Sequence, residues 1–329
     1  MKTLDCRLLR ALRESTVHLP AGDLAAQLGE TPTTIRAHLA QLQAAGFEIE
    51  ERPALGFRLL AAPDRLVADD LDARLGDCAL AREILVFEET GSTNELALQR
   101  GRQGAEEGVV IFAERQTAGR GRFGRRWESA SHRGLWFSVL LRPTLPLARW
   151  SRLTTWAAVG VAAATERLTG RRASIKWPND VFLDGKKVAG ILIESGTDSA
   201  GRPFAVLGIG LNVNHEAGDF PPEIVERATS LRIVTGRPWD RAALAVEVLS
   251  QLAARFEQVA NSFSDLVGEA TARSLLLGRW VQLRSGTSLH EGLAESLDEN
   301  GQLLMRAGDG SSECFIAGEV TVVGSQVIS

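Results

Sequence analysis

The chain has 329 residues, 44% of them hydrophobic and 24% charged, with a net charge of -4 and a mean hydropathy of -0.03. That length exceeds one ordinary core and points to two or three domains, and the composition is that of a soluble globular protein rather than a disordered or membrane one. The weakly negative charge excludes a protein whose whole surface sits on nucleic acid, so any such binding is local.

No apolar run approaches the ~20 residues of a membrane span, and MKTLDCRLLR lacks the apolar core of a signal peptide, so a cytoplasmic protein is expected. Cys6, Cys78 and Cys314 are far apart and show no CxxC spacing, which suggests neither a disulfide framework nor a zinc site. Of 37 basic residues only Lys2, Lys176, Lys186 and Lys187 are lysines. A GC-rich genome explains the shortage but not the cluster at 176–187, where a compact ammonium rather than a planar fork is the suggested need.

Residues 4–15, 21–30 and 33–46 have helical spacing of apolar residues and are followed by FEIEERPALGFRLL, which alternates around a Pro-Ala-Leu-Gly turn. The order is that of a helix-turn-helix with a two-stranded wing, whose third helix, with Thr33, Thr34, Arg36 and His38, would enter a DNA major groove. A three-helix protein-docking module is the alternative. Residues 1–62 carry seven basic and seven acidic side chains, so a monomer should bind DNA weakly.

Residues 63–82 are expected to form a linker helix. From 83 to 273, β-rich runs such as EILVFEE, GVVIFAE, GLWFSVLLR and FAVLGIGLNVN mix with alanine-rich helices at 150–170 and 241–261. Without a regular βαβ rhythm, this predicts an α+β fold. Residues 274–329 read as strands punctuated by Asn300-Gly301 and Asp309-Gly310, fitting a small β-barrel.

The stretch QTAGRGRFGRRW at 116–127 combines glycines with Arg120, Arg122, Arg125 and Arg126. Guanidinium forks and free backbone amides suit a carboxylate or phosphate. An RGG-like RNA-binding segment or a solvated loop would also contain these residues. No GxxxxGK[ST] loop is present, and GIGLNV at 208–213 lacks the third glycine of a dinucleotide fingerprint. In IKWPNDVFLDGKKVAGILIE, the Asp184-Gly185 hairpin can bring Lys176, Asp180 and Lys187 to one side of a sheet.

Taken in order, STN at 92–94, QTAGRGRFGRRW, KWPND at 176–180, KKVAGILIE at 186–194, GIGLNVN at 208–214, and FPPE with ATSL at 220–231 resemble the bifunctional biotin protein ligases, which carry an N-terminal repressor-like winged helix. The resemblance implies a central sheet of the class II synthetase-like biotin/lipoate ligase fold and a C-terminal SH3-like barrel. It also implies the activity: biotin and MgATP give biotinyl-5'-AMP, and biotin then passes to one lysine of a biotin carboxyl carrier domain.

Carried over by position, Lys187, Arg122 and Asp180 are catalytic. Ser92, Thr93, Asn94, Gln116, Gly119, Arg120, Gly121, Arg122, Lys187 and Gly190 bind biotin, while Arg120, Arg122, Arg125, Lys176, Asn179 and Asn212 bind ATP or the adenylate. Magnesium is expected to be held through the ATP phosphates. The family further implies a homodimer favoured by biotinyl-5'-AMP and an operator DNA partner. A lipoate or octanoate ligase, or a regulator that only senses a metabolite, are the rival readings.

Overall fold

The computed structural model describes residues 2–327. Its N-terminal helices are α1 (Leu4–Glu14), α2 (Ala21–Leu28) and α3 (Pro32–Ala44), followed by the antiparallel strands β1 (Glu48–Arg52) and β2 (Gly56–Ala61). The starts are chemically marked: Thr3 caps α1 by accepting from the Cys6 amide, and Thr31 caps α3 by accepting from Thr34, with Pro32 at the first helical position. Leu8, Leu9, Leu12, Leu24, Ile35 and Leu39 bury one stripe of each helix in a shared core. This is the helix-turn-helix with a wing.

The helix expected across 63–82 is shorter, α4 (Ala68–Leu75), because Gly76 takes a positive φ of 71° and ends it. Its Asp70 receives Arg13 from α1 at 2.5 Å.

The central unit is built from β3 (Glu83–Thr90), α5 (Thr93–Arg102), β4 (Val109–Gln116), β5 (Gly134–Leu141), α6 (Arg152–Thr169), β6 (Ser174–Lys176), β7 (Asp180–Leu183), β8 (Lys186–Thr197) and β9 (Pro203–Asn212). The sheet order is β3-β4-β5-β9-β8-β7-β6, with β3 and β4 parallel and the other neighbours antiparallel. One parallel pair among antiparallel ones is an α+β arrangement. Helix α5 packs Ala97 and Leu98 on one face against Val109, Ile111 and Val206.

The other face carries α6 and α8 (Arg241–Phe256), after the short α7 (Leu231–Thr235). Trp156 of α6 is fully buried, with its indole N–H donating to the Leu252 carbonyl at 3.0 Å. Its truncation to alanine would cost roughly 3–5 kcal/mol. The helix expected over 241–261 breaks near residue 257 into α8 and α9 (Gln258–Asn261), and α10 (Phe263–Ala272) follows.

The remaining strands are β10 (Arg279–Ser285), β11 (Ser288–Leu297), β12 (Leu303–Arg306), β13 (Ser312–Phe315) and β14 (Glu319–Val327), in the antiparallel order β13-β12-β11-β10-β14. The pairing among the described residues is that of a five-stranded antiparallel sheet with β13 and β14 at its two ends. No helix of the described residues is long and apolar enough to cross a membrane.

Candidate active site

A cleft of about 700 Å³ opens where β4, β7, β8 and β9 meet the loop 116–130, the segment 215–228 and the start of β14. That volume suits a ligand larger than a single metabolite ring.

One end is polar. Ser92 stands at the N-cap of α5, and the Thr93 amide and hydroxyl donate to Gln116 Oε1 at 2.9 and 3.2 Å. Gln116 Nε2 donates to the Ser129 hydroxyl at 3.0 Å, which ties the end of β4 to the far side of the loop. Asn94 Oδ1 accepts from the buried Ser138 hydroxyl at 2.6 Å, and Asn94 Nδ2 donates to Glu194 at 2.7 Å. Gly208 leaves room for this, since a Cβ there would lie 2.1 Å from Asn94 Oδ1.

The glycine-arginine stretch is a small hairpin. Gly119 and Gly121 pair through their backbones with Trp127 and Arg125, and the turn passes Phe123 and Gly124 in the left-handed region, φ 57° and 72°. Its arginines diverge. Arg120 bridges Glu194 at 3.1 Å and Glu95 at 3.2 Å. Arg122 turns inward, donating to Asn179 Oδ1 at 3.0 Å; burial pushes its pKa down, against the pull of Asp180 and Glu319. Arg125 reaches β14, where both Glu319 carboxylate oxygens lie 2.5 Å from Nη2. Arg126 pairs with Glu128, at 3.3 Å, and is exposed.

The β7-β8 hairpin supplies the rest. Asp184 and Gly185 both take positive φ, as a tight two-residue hairpin requires. The result sets Lys187 Nζ 2.7 Å from Asp180 Oδ1, although that oxygen has no partner of proper hydrogen-bond geometry. Lys176 faces Asp180 across the β6-β7 ladder, and burial lowers its pKa, with Lys187 adding to the fall and Asp180 opposing it. Three of the chain's four lysines thus fall on β6 and β8, the strands that flank β7, and two of them enter the cleft beside a carboxylate.

Trp127 roofs this centre. The Lys187 ammonium sits 5.2 Å from its ring, and Gly190 and Gly210 leave the space it fills: a Cβ at either would approach the indole to 2.7 or 2.4 Å. The Trp127 indole N–H is buried without a partner. Asn212, buried, donates to the Thr229 carbonyl at 3.0 Å and so holds the 227–229 segment beside Lys187. Phe220 stacks on His215 at 5.0 Å along the same wall.

All the cleft residues suggested by the sequence therefore converge, except that Gly119 acts only through its backbone behind the lining. Sequence reasoning missed Glu194, Glu319 and Ser138, and gave Trp127 no role. Glu194 closes the quoted run KKVAGILIE, so proximity to that motif was the available signal. Glu319 lies almost 200 residues from Arg125, and nothing local marks it.

On the winged helix, Arg36 pairs with Glu51 at 2.6 Å and lies over Phe57, and His38 contacts Asp5 at 2.7 Å. Thr34 is engaged in the cap of α3, while Thr33 is exposed.

The model for the biotin/lipoate A/B protein ligase family matches residues 86–214, and a helix-turn-helix domain model matches residues 7–58. The bifunctional ligase/repressor BirA of Bacillus subtilis is 32% identical over 291 residues, spanning 88% of this chain and 90% of that protein. The chain belongs to the biotin/lipoate A/B protein ligase family. Within that family, the biotin--[acetyl-CoA-carboxylase] ligase of Mycobacterium tuberculosis is 37% identical across 73% of this chain and 88% of its own length. The biotin protein ligase of Aquifex aeolicus, solved with biotin and ATP, superposes with a TM-score of 0.64 at 33% identity, covering 74% of this chain and all of that one.

Proposed function

We propose that this family member is a biotin protein ligase, activating biotin with MgATP to biotinyl-5'-AMP and passing the biotinyl group to a lysine of a carrier domain. The observation that carries the reading is one cleft holding a pre-set polar end at Ser92, Thr93, Asn94 and Gln116, and a cationic centre at Lys187, Lys176 and Arg122 with Asp180 beside it.

In the first step a biotin carboxylate oxygen attacks the α-phosphorus of ATP; the bond to the β-phosphate oxygen breaks and pyrophosphate leaves. Two anions must approach, so positive charge where they meet lowers the barrier. Lys187 provides a point charge there, Arg122 a fork, and Arg120 and Arg125 exchange Glu194 and Glu319 for the ligand's anionic groups. Gly119, Gly121 and Gly190 let the backbone and Trp127 close on the bound molecule. The apolar wall of Trp127 and Phe220 suits the purine, with Asn179 and Asn212 fixing its surroundings.

In the second step the acceptor amine attacks the acyl carbon, the acyl–phosphate bond breaks and AMP leaves. The incoming ammonium must first lose a proton, and we assign that proton to Asp180, the carboxylate paired with Lys187 at this centre. Among the described residues no group of three His, Cys, Asp or Glu is arranged to hold a metal, so magnesium would arrive on the ATP phosphates, where it offsets their charge.

We further read the chain as four units, 1–62, 63–82, 83–273 and 274–329, working in the cytoplasm where ATP is available. The winged helix would meet operator DNA as part of a homodimer favoured by biotinyl-5'-AMP, since two half-sites compensate for a weak monomer. Incubation with ATP and either biotin or lipoate, followed by detection of the adenylate, tests the substrate: adenylation of lipoate alone would favour the sister activity.

A further inference from the structure

Outside the cleft lies a charged pair that the chemistry above does not use. Glu114 on β4 and Arg241 at the start of α8 are 1% and 2% exposed and pair directly. A buried pair of this kind is costly unless its remaining hydrogen-bond capacity is filled. Here two distant segments fill most of it, leaving Arg241 Nε without a hydrogen-bond partner. Glu114 Oε1 accepts from the Leu66 amide at 2.6 Å, and Arg241 Nη2 donates to the Asp64 carbonyl at 3.1 Å, so the pair grips the chain leaving the winged helix. On the other side Glu114 Oε2 lies 3.3 Å from His132 Nδ1, the His132 amide donates to the Glu114 carbonyl at 3.3 Å, and Arg241 Nη1 donates to the Gly134 carbonyl at 3.4 Å.

His132 occupies a positive φ of 56°, a region costly for a residue with a Cβ. Such a conformation persists only where contacts over-determine it: Glu114 holds His132 twice, through Oε2 and through its backbone carbonyl, Arg241 holds Gly134 two residues on, and Glu88 Oε1 lies 3.1 Å from the outer ring nitrogen. The residues held in this way, His132 and Gly134, follow closely on Ser129, the partner of Gln116. Glu114 and Gln116 are two residues apart on β4 and therefore share a face.

We infer that Glu114 is a positioning residue: it sets the far end of the ligand loop, through His132, in register with Gln116, and joins that register to residues 64–66 of the linker. Ligand affinity and linker order then depend on one carboxylate.

The inference rests on the biotin-ligase reading, and two readouts on the full chain separate the two. Hydrogen exchange without ligand should quicken at both 64–67 and 129–134 in Glu114→Gln, but only at 129–134 in His132→Ala. Steady-state biotinylation should show KM for biotin raised about tenfold in Glu114→Gln and about threefold in His132→Ala, with kcat within about twofold of wild type. If Glu114→Gln does not fold, His132→Ala, on a half-exposed side chain, decides the matter. Unchanged exchange at 129–134, or a fall in kcat with KM for biotin unaltered, overturns the inference. A wild-type chain without biotin activity would strike the functional reading, while the exchange pattern would still judge the coupling.

Discussion

Lys187 and Asp180 face each other at 2.7 Å across a hairpin closed by Asp184 and Gly185, with Trp127 over the ammonium. The proposed roles of the two residues assign them to different half-reactions. Lys187→Met should abolish adenylation while leaving the fold intact, since the side chain is a third exposed and fills no core. Asp180→Asn should still form adenylate but transfer it roughly 10²-fold more slowly, the scale of a lost general base. Pyrophosphate release followed separately from acceptor labelling distinguishes them; equal loss in both steps for Asp180→Asn would remove its assigned role.

The glycines under Trp127 make a steric prediction. Gly190→Ala would place a Cβ 2.7 Å from the indole, so the ring must shift. A stability loss of about 1–3 kcal/mol is expected from overpacking, together with a raised KM for ATP. A denaturant melt and an ATP titration check this, and wild-type values in both would mean that the ring moves freely.

That prediction also marks what the sequence could convey. The wing and the Asp184-Gly185 hairpin were legible because turn residues and spacing are local signals, whereas the convergence of GRGR with KWPND was legible only through the resemblance to a family. The packing of Trp127 on Gly190 and Gly210, and the engagement of Arg120 and Arg125 by Glu194 and Glu319, depend on long-range contacts that have no local pattern. The break after α8 was missed because helical periodicity continues through it. Alternation in the last fifty residues predicted strands, but it carries no information about whether the outer two pair.

His215 gives a pH prediction. It is 2% exposed, and burial, helped by Arg133 and opposed by Asp219, lowers its pKa to about 4 from an ordinary 6.5. The neutral ring is the native form, so its full contribution to stability is present above pH 6.5 and is lost as pH falls towards 4, where the unfolded chain takes up the proton first. The loss reaches about 3 kcal/mol at most. Melting temperatures between pH 7 and 5 should fall less steeply in His215→Phe than in wild type; parallel curves would show that the histidine titrates normally.

Arg36, the main cation of α3, is engaged by Glu51 of the wing. Both are exposed, so the pair is weak, and Glu51→Gln should tighten binding to duplex DNA by about two- to fivefold. Gel shifts at low salt read this, and unchanged or weaker binding would mean that Arg36 does not reach phosphate.

The most direct test of the central claim is intact-mass measurement of a biotin carboxyl carrier domain incubated with this chain, ATP, Mg2+ and either biotin or lipoate. One biotinyl group added to a single lysine, dependent on ATP and lost in Lys187→Met, is the expected result. An unmodified carrier, or one that gains only a lipoyl group, would contradict it.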